Sequence, residues 1–223
     1  MPTDSRAALL DLIATLSFRL GDFTLASGQK SDYYIDCRTT TLHAEGGRLA
    51  GLVFYDLIAQ HIPHAVAVGG LTMGADPLVS ATSIASSQAL ADFEEILALT
   101  GDLDLDLDED PGPTPTLIHG FLVRKAEKSH GTGRRVEGFL HPGAHVVIVD
   151  DVCTTGGSTI TAIEATRDAG MTVAGVLCLV DREQGGRLNI ERALAEVPSD
   201  NDIPFLSVFT ATDVRKAHIA LKK

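Results

Sequence analysis

Residues 145–180, HVVIVDDVCTTGGSTITAIEATRDAGMTVAGVLCLV, restrict the possible folds more than any other stretch of this chain. HVVIVDD has the texture of a strand, GSTITAIEATRDA that of a helix with Ile160 and Ile163 inward, and TVAGVLCLV that of a second strand, with Gly170 suited to close the helix in a left-handed conformation. Two strands joined by a helix form a βαβ unit. Both strands are almost continuously apolar rather than alternating, which implies burial on both faces and hence a parallel sheet covered by helices on either side.

The flanking segments extend the same plan. Residues 4 to 20 carry a helical stripe of Leu9, Leu12, Ile13 and Leu16. DFTLASGQKSDYYIDCR predicts two short strands around a Ser27-Gly28 turn, the second from Tyr33 to Cys37. Leu49, Val53 and Leu57 mark a helix to about residue 61, HAVAVGG a buried strand, and a helix is expected from about Asp76. LIHGFLV is a further strand, followed by the polar, glycine-punctuated RKAEKSHGTGRRVEG. A helix near 186–195, a strand FLSVF and a C-terminal helix complete a single α/β domain over residues 1–223.

Charge is unevenly spread. The formal net charge is −12, yet no Lys or Arg occurs between Arg48 and Arg124, and Asp92 to Asp110 holds nine acids. Without those nine, 21 acids face 18 bases. The acidity belongs largely to residues 86–116, where LTGDLDLDLDEDPGPTPT places like charges at every second position and then turns Pro- and Gly-rich. That texture reads as a mobile, solvated insertion, with an ordered hairpin as the alternative. An acidic chain is unsuited to general nucleic-acid binding, which needs a basic face. Cys37, Cys153 and Cys178 lie far apart without metal-ligand spacing, which fits a reducing compartment and argues against a disulfide framework or a zinc site. No apolar run approaches the ~20 residues of a membrane span, and AALLDLIATLSF is broken by Asp11 and lacks an export cleavage site. The chain is expected in the cytoplasm.

The chemistry concentrates where the first strand of the βαβ unit ends. Open parallel sheets bind ligands beyond the carboxyl ends of their strands, and Asp150 and Asp151 fall there. CTTGGST then turns into a helix, so main-chain N–H groups and the hydroxyls of Thr154, Thr155, Ser158 and Thr159 can converge on one anion, favoured by the helix dipole. Gly156 and Gly157 leave room for a phosphate to approach the backbone. No lysine follows the glycines as a Walker motif requires. Paired acids at a strand end can also simply cap the next helix. The full string suits a ligand with a phosphate at one end and neighbouring hydroxyls for carboxylates to hold, the shape of a ribose 5-phosphate.

VVIVDDVCTTGGST resembles the phosphoribosyl pyrophosphate (PRPP) motif of the type I phosphoribosyltransferases. Within that group, FTLASGQKSDYYIDCR and VRKAEKSHGTGRRVEG resemble the N-terminal substrate segment and the catalytic loop of the orotate phosphoribosyltransferase family, the latter with R-K-x-x-K-x-H-G spacing intact. GGLTMGADP and VDRE agree more weakly. The resemblance implies a central parallel sheet flanked by helices, a small N-terminal hood over about 1–40 and a flexible catalytic loop over about 124–138. It implies transfer of the phosphoribosyl group from PRPP to orotate with Mg²⁺ held mainly through PRPP and water, and a homodimer in which each catalytic loop completes its partner's site. It places Arg124, Lys125, Lys128 and His130 on the departing diphosphate, Asp150 and Asp151 on the ribose hydroxyls, and Val152, Cys153, Thr154, Thr155, Gly156, Gly157 and Ser158 around the 5-phosphate. Tyr34, Ile35, Thr154 and Arg182 would contact orotate. Cationic donors where negative charge develops are worth about 10²–10³ in rate each. Many members of the family have a lysine where this chain has Ala26 and another where it has Met73, and Lys30 and Arg38 are candidates to compensate. Another phosphoribosyltransferase, salvaging a purine or pyrimidine base, and a non-catalytic PRPP-binding regulator are the competing readings. Arg182 speaks against a purine, which has no carboxylate to pair with it.

Overall fold

Along β6 (His145–Cys153) the apolar side chains are shared between two cores, one on each face of the sheet. Val147 and Val149 join one core cluster with Leu9, Phe54, Ile58, Leu78 and Val214. Val146 and Ile148 join a second with Ile163, Ile190 and Leu194. The neighbouring strand β7 (Thr172–Asp181) repeats the division, and every residue in it after Thr172 is buried. A continuous apolar run is what a strand with a core on each face demands.

A computed structural model describes residues 4–24, 30–101, 112–125, 135–196 and 203–222. The chain begins with α1 (Asp4–Leu12), which continues as a π-helical turn over Ile13–Ser17. The antiparallel hairpin β1 (Phe18–Thr24) and β2 (Lys30–Ile35) follows, then α2 (Arg38–Thr41) and α3 (Ala44–His61). Next come β3 (Ala67–Leu71), α4 (Asp76–Gly101), β4 (His119–Val123) and β5 (Val136–Gly138). After β6, α5 (Gly157–Asp168) leads to β7, α6 (Gly186–Ala195), β8 (Phe205–Thr210) and α7 (Ala211–Ala220). The main sheet has the order β5-β4-β3-β6-β7-β8. β4, β3, β6, β7 and β8 run parallel, and β5 is an antiparallel edge on β4. Among the described residues no helix is long and apolar enough to cross a membrane.

Four expectations change. The first helix ends at Ser17 rather than at residue 20, because Phe18 turns extended, pairs with Ile35 and buries its ring. The second hairpin strand ends at Ile35, and the Ser27-Gly28 turn lies outside the described residues. The segment expected to begin a mobile insertion at residue 86 is helical as far as Gly101. The Leu–Asp alternation and the Pro- and Gly-rich texture behind that expectation begin only at the segment's end, and SSQALADFEEILALT holds good helix formers and no Gly or Pro. Ser86 is fully buried and accepts the Ile118 N–H at 3.0 Å, and Gln88 donates to Asp92 one turn on at 2.7 Å. The alternating Leu–Asp run at 102–111 lies outside the described residues. Finally, Val136–Gly138, expected within the catalytic loop, form β5 because Gly138 and Val136 pair with Phe121 and Val123.

Candidate active site

A cleft of about 750 Å³ opens at the carboxyl ends of β3 and β6, with the N-terminus of α5 as its floor and β2 as one wall. It gathers Tyr34, Ile35, Arg124, Lys125, Asp150, Asp151, Val152, Thr154, Ser158 and Arg182 from four separate stretches of sequence. Lys128 and His130 lie outside the described residues.

The two acids differ. Asp150 is 9% exposed, and its Oδ2 accepts from the Thr159 hydroxyl at 2.7 Å. Burial pushes its pKa up to about 7 against that hydrogen bond, and the neighbouring Asp151 charge adds to the rise. Asp151 lies nearer the cleft, and its Oδ1 accepts the Val152 N–H at 3.0 Å. Its pKa is also raised, first by burial; Asp36 reinforces the shift, while the Val152 bond and the Arg38 charge oppose it. Gly74, in the turn after β3, comes so close to the Asp151 carboxylate that a Cβ there would collide with it.

The glycine turn is shaped by packing as well as by ligand access. Gly156 has φ 82° and precedes α5 as its N-cap. A Cβ on it would meet Ile190 at 2.8 Å and the Gly186 carbonyl at 3.0 Å, so this glycine lets the turn lie against α6. A Cβ on Gly157 would meet only the Thr155 hydroxyl, at 3.9 Å. Cys153 is buried and its carbonyl accepts the Arg182 N–H at 2.9 Å, so its side chain belongs to the core. The Thr159 hydroxyl is committed to Asp150 and does not join the anion cradle expected for it. The first N–H groups of α5 remain without helical partners, beside the exposed Thr155 and Ser158 and the half-buried Thr154.

Cationic groups rim the cleft. The Arg124 N–H donates to the Arg135 carbonyl at 2.9 Å, which closes the base of the loop, and its guanidinium lies 3.4 Å from Glu137. Lys125 is exposed at the rim. Lys30 bonds Thr24 within the hairpin and is not among the cleft residues. Arg38 does reach the cleft, forked onto Asp36 through Nε and Nη2, both at 2.8 Å. That fork depresses the Asp36 pKa. The Asp36–Arg38 pair was legible only as a D-x-R spacing at the end of β2.

Arg182 is 7% exposed. Its guanidinium lies 4.9 Å over the Tyr33 ring, and Nη2 is 3.5 Å from the Ser31 hydroxyl. Nε is buried without a hydrogen-bond partner, and no carboxylate among the described residues forms an ion pair with the group. The seat formed by Ser31 and Tyr33 is not legible in the sequence, where Tyr33 only opens the expected second strand of the hairpin.

A parallel sheet whose central strand ends in paired acids and a glycine turn onto a helix defines a phosphoribosyltransferase, and the family model described as "Phosphoribosyl transferase domain" matches residues 121–202. The orotate phosphoribosyltransferase of Thermosynechococcus vestitus is 40% identical over 212 residues, which cover 95% of this chain and 93% of that protein. That of Aquifex aeolicus is 36% identical, covering 94% and 97%. The structure of Mycobacterium tuberculosis orotate phosphoribosyltransferase in complex with PRPP superposes with a TM-score of 0.66 at 31% identity, covering 95% of this chain and 99% of that one. This chain belongs to the orotate phosphoribosyltransferase family.

Proposed function

We propose that the cleft transfers the 5-phosphoribosyl group of PRPP to orotate, giving orotidine 5′-monophosphate and diphosphate in pyrimidine nucleotide synthesis. The observation that carries this reading is Arg182: a buried guanidinium held over the Tyr33 ring at the cleft, with its Nε unpartnered. A buried charge without a counter-charge is costly, and a base bearing a carboxylate supplies the missing partner in bidentate form.

In the reaction the ring nitrogen's electron pair forms the new bond to the anomeric carbon. The bond from that carbon to the diphosphate oxygen breaks, its electrons leave on the diphosphate, and the nitrogen's proton is released. Positive charge builds on the sugar beside Asp150 and Asp151, whose carboxylates accept from its hydroxyls. Negative charge grows on the diphosphate, where Arg124, Lys125, Lys128 and His130 act, and Arg38 adds a cation to the cleft that Met73 also lines. The amides at the start of α5, with Thr154, Thr155 and Ser158, hold the 5-phosphate. Mg²⁺ fits this site as an ion carried on the diphosphate: it prefers oxygen donors and keeps much of its water, and Asp151 faces the cleft. When bound, it neutralises charge on the diphosphate.

Product formation tests the function. The protein is expected to form a nucleotide and diphosphate from PRPP with orotate, and not with adenine, hypoxanthine or uracil. Activity only with a purine would refute the assignment, and PRPP binding without turnover would favour the regulator.

The active unit is a homodimer in which the catalytic loop reaches the partner's cleft. The surface that supports it is an apolar groove of about 580 Å³ between α4 and the α2–α3 connection. Leu42 and Ile84 stand 72% and 70% exposed there. Pro77, Ala81, Ile84, Ala85 and Gln88 line it at helical spacing along α4, which starts two residues beyond the cleft residue Gly74. Ile84→Glu is expected to yield monomers in analytical ultracentrifugation with reduced activity; a fully active dimer would rule this surface out. The three unpaired cysteines support a reducing cytoplasm as its location.

A further inference from the structure

Immediately after Arg182 the backbone takes a conformation that few side chains tolerate. Glu183 has φ 59°, the single positive value at a non-glycine position among the described residues. A glycine would adopt this conformation without strain, and such strain persists only where the surroundings hold it. The Glu183 side chain supplies what a glycine lacks. Its Oε2 accepts from the Thr212 hydroxyl at 2.6 Å and from the Thr212 N–H at 3.1 Å, while its own N–H donates to Asp181 Oδ1 at 2.8 Å. Thr212 lies in the first turn of α7, where Thr210 and Asp213 already form a capping box. The carboxylate therefore satisfies a further free N–H and lies at the positive end of the helix.

The same helix carries the other half of the seat for the Arg182 guanidinium. Arg215 on α7 pairs with Asp32 of β2 at 2.7 Å. His218 on α7 packs 5.0 Å from Phe18, Phe18 stacks on Tyr33 at 5.5 Å, and Tyr33 carries Arg182. One helix thus holds the aromatic platform through the hairpin and the arginine's backbone through Glu183.

We propose that Glu183 is a positioning residue for base recognition, pinning the end of β7 to α7 so that Arg182 and Tyr33 keep a fixed relation. The proposal rests on the reading of the cleft as an orotate site. Glu183 is not among the residues lining the cleft, so its effect is transmitted through Arg182.

Steady-state kinetics of full-length variants, with orotate and PRPP varied independently and melting recorded alongside, test it. Glu183→Gly relieves the backbone and deletes the tether. Its melting temperature is expected to stay near that of the wild type, while KM for orotate rises by about tenfold or more and KM for PRPP does not. Glu183→Gln, which keeps an oxygen for Thr212, is expected to restore most of the orotate affinity. Thr212→Val removes the hydroxyl half of the tether from the other end, leaving the N–H bond and the strained residue untouched, and should shift KM for orotate in the same direction by a smaller factor, which keeps the test open if the glycine variant fails to fold. An unchanged KM for orotate in the variants, an equal rise in both KM values, or a loss that merely follows melting overturns the proposal. Wild-type protein unable to use orotate would overturn the functional reading and this inference with it; normal orotate use by wild type and variants alike overturns the inference alone.

Discussion

Asp150→Asn is expected to make the unliganded protein more stable at pH 8 while removing most of its activity. The carboxyl of Asp150 is buried on the core side of the cleft with Thr159 as its hydrogen-bonding partner, and burial raises its pKa to about 7. An unfolded aspartate titrates near 3.9. Between these values the folded state holds a proton that the unfolded state has released, so stability is fully present below about pH 4 and is lost as pH rises through about 7. The loss is complete once both states are ionised. Asparagine is close in shape, keeps an oxygen for the Thr159 hydroxyl and carries no charge to desolvate. Calorimetric melting at pH 4 and pH 8 checks this: the variant should melt close to wild type at the lower pH and several degrees above it at the higher. Turnover should fall by about 10²–10³, as for loss of a group that stabilises charge developing in the transition state. Melting no higher than wild type at pH 8 would show that Asp150 does not strain the fold.

The second large effect is expected at Arg182. Arg182→Met removes a charge that is 7% exposed and has no carboxylate partner among the described residues, while keeping apolar contact with Tyr33. The folded state should tolerate this, because a buried charge without a counter-ion contributes little to stability. The complex with orotate should not. Removing one partner of a desolvated, hydrogen-bonded charge pair costs roughly 2–5 kcal/mol, so kcat/KM for orotate should drop by about 10²–10³. Uracil, which is orotate without the carboxylate, should be used poorly by the wild type and no worse by the variant. The ratio of the two substrates is therefore the quantity to measure. Unchanged discrimination would mean that another group recognises the carboxylate.

The sheet could be read from residues 145–180 because apolar strands without alternation admit few arrangements, and the sharing of β6 and β7 between two core clusters bears this out. The paired acids and the glycine turn were equally visible, since their chemistry is local. What stayed hidden depends on distance in sequence. Arg182 and Tyr33 are far apart along the chain, so their stacking leaves no trace in spacing. Thr159 looked like an anion ligand until the fold placed it on Asp150. Gly156 suggested a phosphate, yet its immediate constraint is Ile190 on the next helix. The C-terminal half of α4 is hidden by the acidic, Pro- and Gly-rich run that follows it, although its own residues are good helix formers.

The most direct test of the central claim is a crystal structure of the protein with orotidine 5′-monophosphate bound. The account predicts the 5′-phosphate against the first amides of α5 with Thr154, Thr155 and Ser158, and the base carboxylate within about 3 Å of the Arg182 guanidinium. A nucleotide bound with its carboxylate away from Arg182, or with its phosphate elsewhere than the start of α5, would contradict it.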